Sequence, residues 1–334
     1  MVPDVEEASS KVAQAEGPVS MTSTPRESME KDSEGEVQSF KNRYISFLKV
    51  LRGHTSTSPD DIRPPSFAQQ LLSEVLGTGV YIFFGLGVTA AAVTAGSTSG
   101  VFQVVLIWSI AVTMGILIAI SVSGAHLNPA ITFSFVILRP ELFPVWKMPF
   151  YWVAQTLGAM LGAGVMYLMY GNAITQMESH YGIIRGEPGS ELTASLFHGF
   201  YPSPTSLIDA ELGWSKNTVT QAGAFGIEMF ATGWLVFIVF TVMDPRNQLR
   251  LGGAAIAYSI GLAVLIIGCV AGPLENMGLN PARDFGPRLV AYSLGWGEIS
   301  IPGQYSNMWI YLIAPMIGGP IGGALYDFAL MRNI

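Results

Sequence analysis

The sequence predicts an all-α membrane protein with six transmembrane helices and two re-entrant half-helices, arranged as an inverted 3+3 repeat. Three observations carry that prediction. Six apolar runs have membrane-spanning length, two others have about half that length, and the second half of the chain repeats features of the first in the same order. Composition agrees: 50% of the residues are hydrophobic and 12% are charged, against about 25% charged in soluble domains. Mean hydropathy is +0.43.

Residues 1–63 read as an N-terminal tail and residues 64–334 as the membrane domain. Within the tail, residues 1–40 hold nine Asp or Glu against three Lys or Arg and few apolar side chains. Such a segment cannot bury enough surface to offset its ordering entropy, so disorder is expected. Ser33 precedes Glu34 and Glu36, a setting that acidophilic kinases favour; the competing reading is a merely solvated tail. The next stretch, 41–63, turns basic with Lys41, Arg43, Lys49, Arg52 and Arg63, interleaved with Phe47, Leu48, Val50 and Leu51. It reads either as the basic flank of the first span or as a short interfacial helix on anionic lipid. The polar, acidic N-terminus lacks the layout of a signal peptide, so the first span is expected to serve as the targeting signal.

A span needs roughly 20 apolar residues. Runs of that size fall near 67–88, 102–122, 147–170, 219–243, 253–272 and 305–329. Two shorter runs, 128–138 and 280–292, reach only about half of a hydrocarbon core of about 30 Å. Arg139, Lys147, Arg246 and Arg250 lie in loops on the same side as the basic stretch, which predicts cytoplasmic termini. The long loop 171–217 then falls outside. Its Glu178, Glu187, Glu191, Asp209 and Glu211 outnumber Arg185 and Lys216. Its Gly, Pro and aromatic content suits an ordered cap over one mouth.

Internal repetition decides the architecture. Glu74–Thr78 matches Glu228–Thr232, His126–Ala130 matches Gly278–Ala282, and Ala154–Gly162 matches Ala314–Gly322, at offsets of 154, 152 and 160 residues. Repeat one covers about 66–170 and repeat two about 218–330. Three spans per repeat insert the second copy upside down, as in inverted-topology membrane proteins. The short runs then enter from opposite faces and meet at the midplane. Non-helical backbone is tolerated there only where it lines a cavity or is buried in protein. Gly158 and Gly162, and Gly318 and Gly322, are GxxxG pairs suited to close helix packing.

Each short run opens on Asn-Pro-Ala: Asn128, Pro129 and Ala130, then Asn280, Pro281 and Ala282. Asn is a strong N-cap and Pro suits the first helical position. The Asn oxygens are expected to cap the helix, leaving each amide NH2 to donate into a lumen. Each helix N-terminus carries roughly half a positive elementary charge. Two such ends at one point disfavour cations and oppose proton hopping.

The loops around these motifs, 123–130 and 278–288, resemble the signature loops of the major intrinsic protein family, and the resemblance extends over about 66–330. Asp284 after Arg283 resembles the aquaglyceroporin branch, and Arg288 and Pro315 also fit it. The resemblance implies a passive channel for water and small neutral solutes such as glycerol. It also implies a homotetramer in the plasma membrane, and no cofactor. It places the selectivity constriction at Trp108, Gly268, Met277 and Arg283. Arg283 would bind solute hydroxyls and repel cations, and Trp108 would form an apolar wall. Gly268 stands where water-selective relatives commonly place His, which widens the constriction. Met277 departs from the aromatic that glycerol conductors often carry, and either widens the filter or folds into it. Backbone carbonyls of Gly124, Ala125, His126, Leu127, Asn276, Met277 and Gly278 would line the track. His126 reads as a structural tie, with gating as the competing role.

Glu74 and Glu228 are ionisable groups within spans. Each is expected to brace a half-helix loop; proton relay is the alternative. Cys269 is the one cysteine, so no intrachain disulfide forms; beside Gly268 it invites mercury sensitivity unless it points away from the lumen. The net charge of −7 argues against nucleic-acid binding. His54, His126, His180 and His198 are scattered, and neither a metal spacing nor a nucleophile motif accompanies them. Two other transport readings stand open. One is a water-selective channel, which Gly268 and Asp284 oppose; the other is an inverted-repeat secondary transporter, which lacks an obvious coupling-ion site.

Overall fold

The structure, a computed structural model, describes residues 64–203, 214–215, 217–303 and 307–331. The tail expected at 1–63, with Ser33 and the basic stretch, lies outside the described residues, as do Asp209, Glu211 and Lys216. Among the described residues, eight helices of ten residues or more organise the rest: α1 Phe67–Ala95, α2 Val101–Ser123, α3 Pro129–Leu138, α4 Met148–Tyr181, α5 Gln221–Met243, α6 Gly253–Glu275, α7 Pro281–Ala291 and α8 Met308–Leu325. Six are long and apolar enough to cross a membrane, a π turn extending α8 to Leu330. The two that are not, α3 and α7, are the short ones.

Hydropathy placed the spans but not all their ends. α1 runs to Ala95, past the expected 88, because Ala-rich sequence continues the helix. Thr89 and Thr94 add no unmet polar groups, since their hydroxyls donate to the Gly85 and Ala90 carbonyls (3.0 and 2.8 Å). α6 continues through Pro273 to Glu275 instead of ending at 272. The largest correction is α4, which runs to Tyr181 rather than 170. Its last turns carry Asn172, Gln176 and Glu178, polar residues that end a hydropathy run without ending a helix. Gly182, at φ +66°, ends it. The long loop therefore begins at 182.

Packing repeats as the sequence does. α1 packs on α2 and α4; α5 packs likewise on α6 and α8. The half-helix α3 lies against α4 and α8, and α7 against α8 and α4. Exchanging the first four helices for the last four maps this pattern onto itself. The GxxxG glycines make the close contacts. A Cβ at Gly158 or Gly162 would collide with the Val75 or Gly79 carbonyl of α1, and one at Gly318 or Gly322 with the Met229 or Gly233 carbonyl of α5. α2 meets α6 across the repeat, with the Ser109 hydroxyl donating to the Gly261 carbonyl (2.8 Å).

An ion cluster ties the far end of α3 to the ends of α5 and α8. Arg139 pairs with Asp327 (2.6 Å) and Asp244 (3.5 Å), and Arg246 pairs with Asp244 (2.7 Å). The Arg246 hydrogen bonds hold the Asp244 carboxyl down from 3.8 to about 2. A depressed carboxyl contributes stability above its ordinary value and loses it as pH falls through the folded one. Asp244→Asn is therefore expected to lower the melting temperature of detergent-solubilised protein at neutral pH. The gap to the parent should close between pH 3.8 and about 2; a gap independent of pH would show that the carboxylate charge is not what matters.

Candidate functional site

Asn128 and Asn280 are extended residues that cap α3 and α7, with Pro129 and Pro281 in the first helical position. The Asn128 oxygen accepts from the Ala130 N–H (2.8 Å), and the Asn280 oxygen from the N–H groups of Ala282 and Arg283 (2.9 and 3.2 Å). The amide groups are less free than the sequence suggests. Asn128 Nδ2 donates to the Leu279 carbonyl (2.8 Å) and Asn280 Nδ2 to the Leu127 carbonyl (2.7 Å), so each motif is bonded to the loop of the other. Asn280 Nδ2 also donates to the Tyr81 hydroxyl (2.5 Å).

Both loops bend through left-handed backbone at non-glycine residues: Ala125 and Leu127 before α3, and Asn276, Met277 and Leu279 before α7. Such positions cost about 1–3 kcal/mol each and persist only where the surroundings hold them. Glu74 accepts from the N–H groups of His126 and Leu127 (3.0 and 2.7 Å), and Glu228 from those of Gly278 and Leu279 (the latter 2.8 Å). His126 lies in this framework, Nδ1 at 3.1 Å from the Thr132 hydroxyl and its ring stacked on Phe135. The two carboxylates differ beyond the backbone. Glu74 also accepts from Ser123 Oγ (2.6 Å) and Gln155 Nε2 (2.8 Å). At the repeat offsets of 152 and 160 residues stand Glu275 and Pro315. The first is a buried carboxyl that can donate only when protonated, the second has no side-chain donor.

Trp108, Gly268, Met277 and Arg283 lie around one cavity. The Arg283 guanidinium carbon stands 4.8 Å from the centre of the Trp108 ring, a cation–π distance. Trp108 is seated on Gly85, where any Cβ would collide with the indole, and its N–H donates to Thr89 (3.1 Å). Met277 folds in toward Gly268: a Cβ there would lie 3.3 Å from Met277 Cε and would collide with Val105. Cys269 is half-buried and does not line the cavity.

The long loop supplies groups that sequence reasoning missed. The Phe197 carbonyl accepts from Arg283 (3.4 Å), and Asn276 donates to the Ser195 and His198 carbonyls (3.1 and 3.2 Å). Asp284 accepts from the Gly199 N–H (2.8 Å) and from Arg288, whose other nitrogens donate to the Ser300 and Gly199 carbonyls (2.8 and 2.9 Å). The His198 ring, 3.0 Å from the Ser300 hydroxyl, completes the layer; burial and the facing Arg288 hold it well below the usual imidazole range. No motif marked 195–200, because a loop's backbone carbonyls have no residue-type signature.

The cavity measures about 870 Å3, and both Asn128 and Asn280 line it. On α2 alone its lining runs from Val101 to Ile120, about 28 Å at 1.5 Å per residue. That matches a hydrocarbon core of about 30 Å. A membrane-spanning bundle with half-helices meeting beside such a cavity defines a pore-forming membrane protein. The chain belongs to the major intrinsic protein family, whose model matches residues 61–326. It is 35% identical over 272 residues to a glycerol uptake facilitator protein of Pseudomonas aeruginosa, covering 81% of this chain and 91% of that protein. It is 34% identical over 271 residues to a propanediol uptake facilitator of Citrobacter freundii, covering 80% and 94%. The X-ray structure of the aquaglyceroporin from Plasmodium falciparum superposes with a TM-score of 0.68 at 26% identity, covering 80% of this chain and 98% of that one.

Proposed function

We propose that this protein is a passive channel for water and small neutral solutes such as glycerol, excluding ions and protons. The observation that carries the reading is the cavity of about 870 Å3, lined by both capping asparagines, Arg283 and Gly268, which adds no side chain of its own. Relatives named for glycerol and propanediol uptake support the solute class. In this reading the constriction is Trp108, Gly268, Met277 and Arg283: a carbon skeleton slides on Trp108 while hydroxyls bond Arg283. Carbonyls of Gly124, Ala125, His126, Asn276 and Gly278 continue the track, while the Leu127 carbonyl is engaged by Asn280. Glu74 and Glu228 brace the two loops. Cation exclusion follows from the paired helix N-termini and the fixed charge of Arg283. Homotetramer assembly, each subunit with its own pore, the plasma membrane and cytoplasmic termini complete the proposal; family membership supports the first, and the basic loops the last.

Proteoliposomes shrunk in a glycerol gradient are expected to re-swell faster than empty liposomes, whereas those shrunk in sucrose report water efflux alone. Glycerol entry equal to that of empty liposomes would overturn the solute assignment. A dye response to an imposed Na+ or H+ gradient above the empty-liposome level would overturn ion exclusion.

A further inference from the structure

The inverted repeat provides an internal reference for the midplane. Each capping asparagine has two amide hydrogens. One goes to the opposite loop in both halves, Asn128 to Leu279 and Asn280 to Leu127. The second hydrogens differ. Seven residues after Glu74, α1 carries Tyr81; seven after Glu228, α5 carries Leu235. Both are buried and both line the cavity. Tyr81 takes the second hydrogen of Asn280 at 2.5 Å, whereas Leu235 offers Asn128 no acceptor.

We infer that Tyr81 is a specificity-determining residue at the midplane, a second filter besides the constriction at Arg283. This rests on the solute-channel reading above. The Tyr81 hydroxyl occupies the lumen edge where the Asn280 amide would otherwise face the solute. Among the described residues its own proton has one acceptor in reach, the Leu127 carbonyl at 3.5 Å, which already accepts from Asn280 at 2.7 Å. That bond is long and weak, so the hydroxyl is available to a passing oxygen. The midplane then presents one amide donor from Asn128, one hydroxyl from Tyr81 and an apolar wall at Leu235. A linear polyol fits that set, its hydroxyls on one side and its carbons on the other. The ring with its hydroxyl also takes cross-section, so the midplane limits solute length and girth independently of Gly268.

The test compares the parent with Tyr81→Phe, which removes only the hydroxyl, and Tyr81→Leu, which copies repeat two. Glycerol and erythritol permeabilities are measured in the same proteoliposome preparations, so their ratio is independent of how much protein inserts. The erythritol-to-glycerol ratio is expected to rise about threefold or more in Tyr81→Phe, because the hydroxyl's cross-section is gone and the Asn280 amide hydrogen it held is freed for a solute oxygen, a bond of about that worth, and further in Tyr81→Leu. A ratio equal to the parent's in both variants overturns the inference. A rise in Tyr81→Leu alone assigns the effect to bulk and overturns the role of the hydroxyl. A parent that passes no glycerol overturns the channel reading and this inference with it, whereas a glycerol-conducting parent with an unmoved ratio overturns the inference alone.

Discussion

Gly268→His is expected to lower glycerol permeability about a hundredfold, equivalent to roughly 3 kcal/mol of added barrier, while water permeability falls far less. A side chain at this position meets packed neighbours at its first atom. A Cβ there collides with Val105 and lies 3.3 Å from Met277 Cε, and α6 brings Gly268 to the same cavity as Arg283 and Trp108. An imidazole must therefore project into the constriction or force Val105 and Met277 aside; overpacking of that kind costs about 1–3 kcal/mol. A ring projecting into the constriction narrows it for a three-carbon solute but leaves a water-sized path. Gly268→Ala is expected to fall between, since its Cβ already meets Val105. Stopped-flow light scattering under glycerol and sucrose gradients separates the two fluxes. Unchanged glycerol flux in Gly268→His would place the solute path elsewhere.

What the sequence made legible follows from which physical signals are local. Span positions are local, because lipid exposure demands continuous hydropathy. The half-helices are local too, since Asn-Pro starts a helix sharply whatever surrounds it. Their starts at Pro129 and Pro281 agree with that reading. The end of α4 is not legible from hydropathy, because a helix leaving the membrane turns polar without changing its backbone. The asparagine amides were misjudged for a different reason. Their acceptors, the Leu127 and Leu279 carbonyls, come from the opposite repeat and are aimed by left-handed backbone at leucines, which residue type does not signal. Tyr81 was missed because a tyrosine in an apolar helix reads as packing. Its hydroxyl gains its close partner, Asn280, from 199 residues away. Trp108 became visible through the family resemblance, but the glycine that seats it, Gly85, did not.

Arg288→Met is expected to destabilise the protein more than a change at the lumen, lowering the melting temperature in detergent by roughly 10 °C. Arg288 and Asp284 are both fully buried, one turn apart on α7, and they close a ring through Gly199 and Ser300. Removing the guanidinium leaves the Asp284 charge buried with only the Gly199 N–H, and breaking one side of such a pair costs about 3–5 kcal/mol. The Ser300 and Gly199 carbonyls lose their donors as well. Adding Asp284→Asn is expected to recover a large part of the loss, because the amide oxygen still accepts from Gly199 while the buried charge disappears. Equal melting temperatures in the single and double variants would show that the charge pair is uncoupled and that shape alone matters. The ring also holds the loop that places the Phe197 carbonyl on Arg283. Arg288→Met should therefore lower glycerol flux per folded channel, and the double variant should restore flux only as far as it restores the loop.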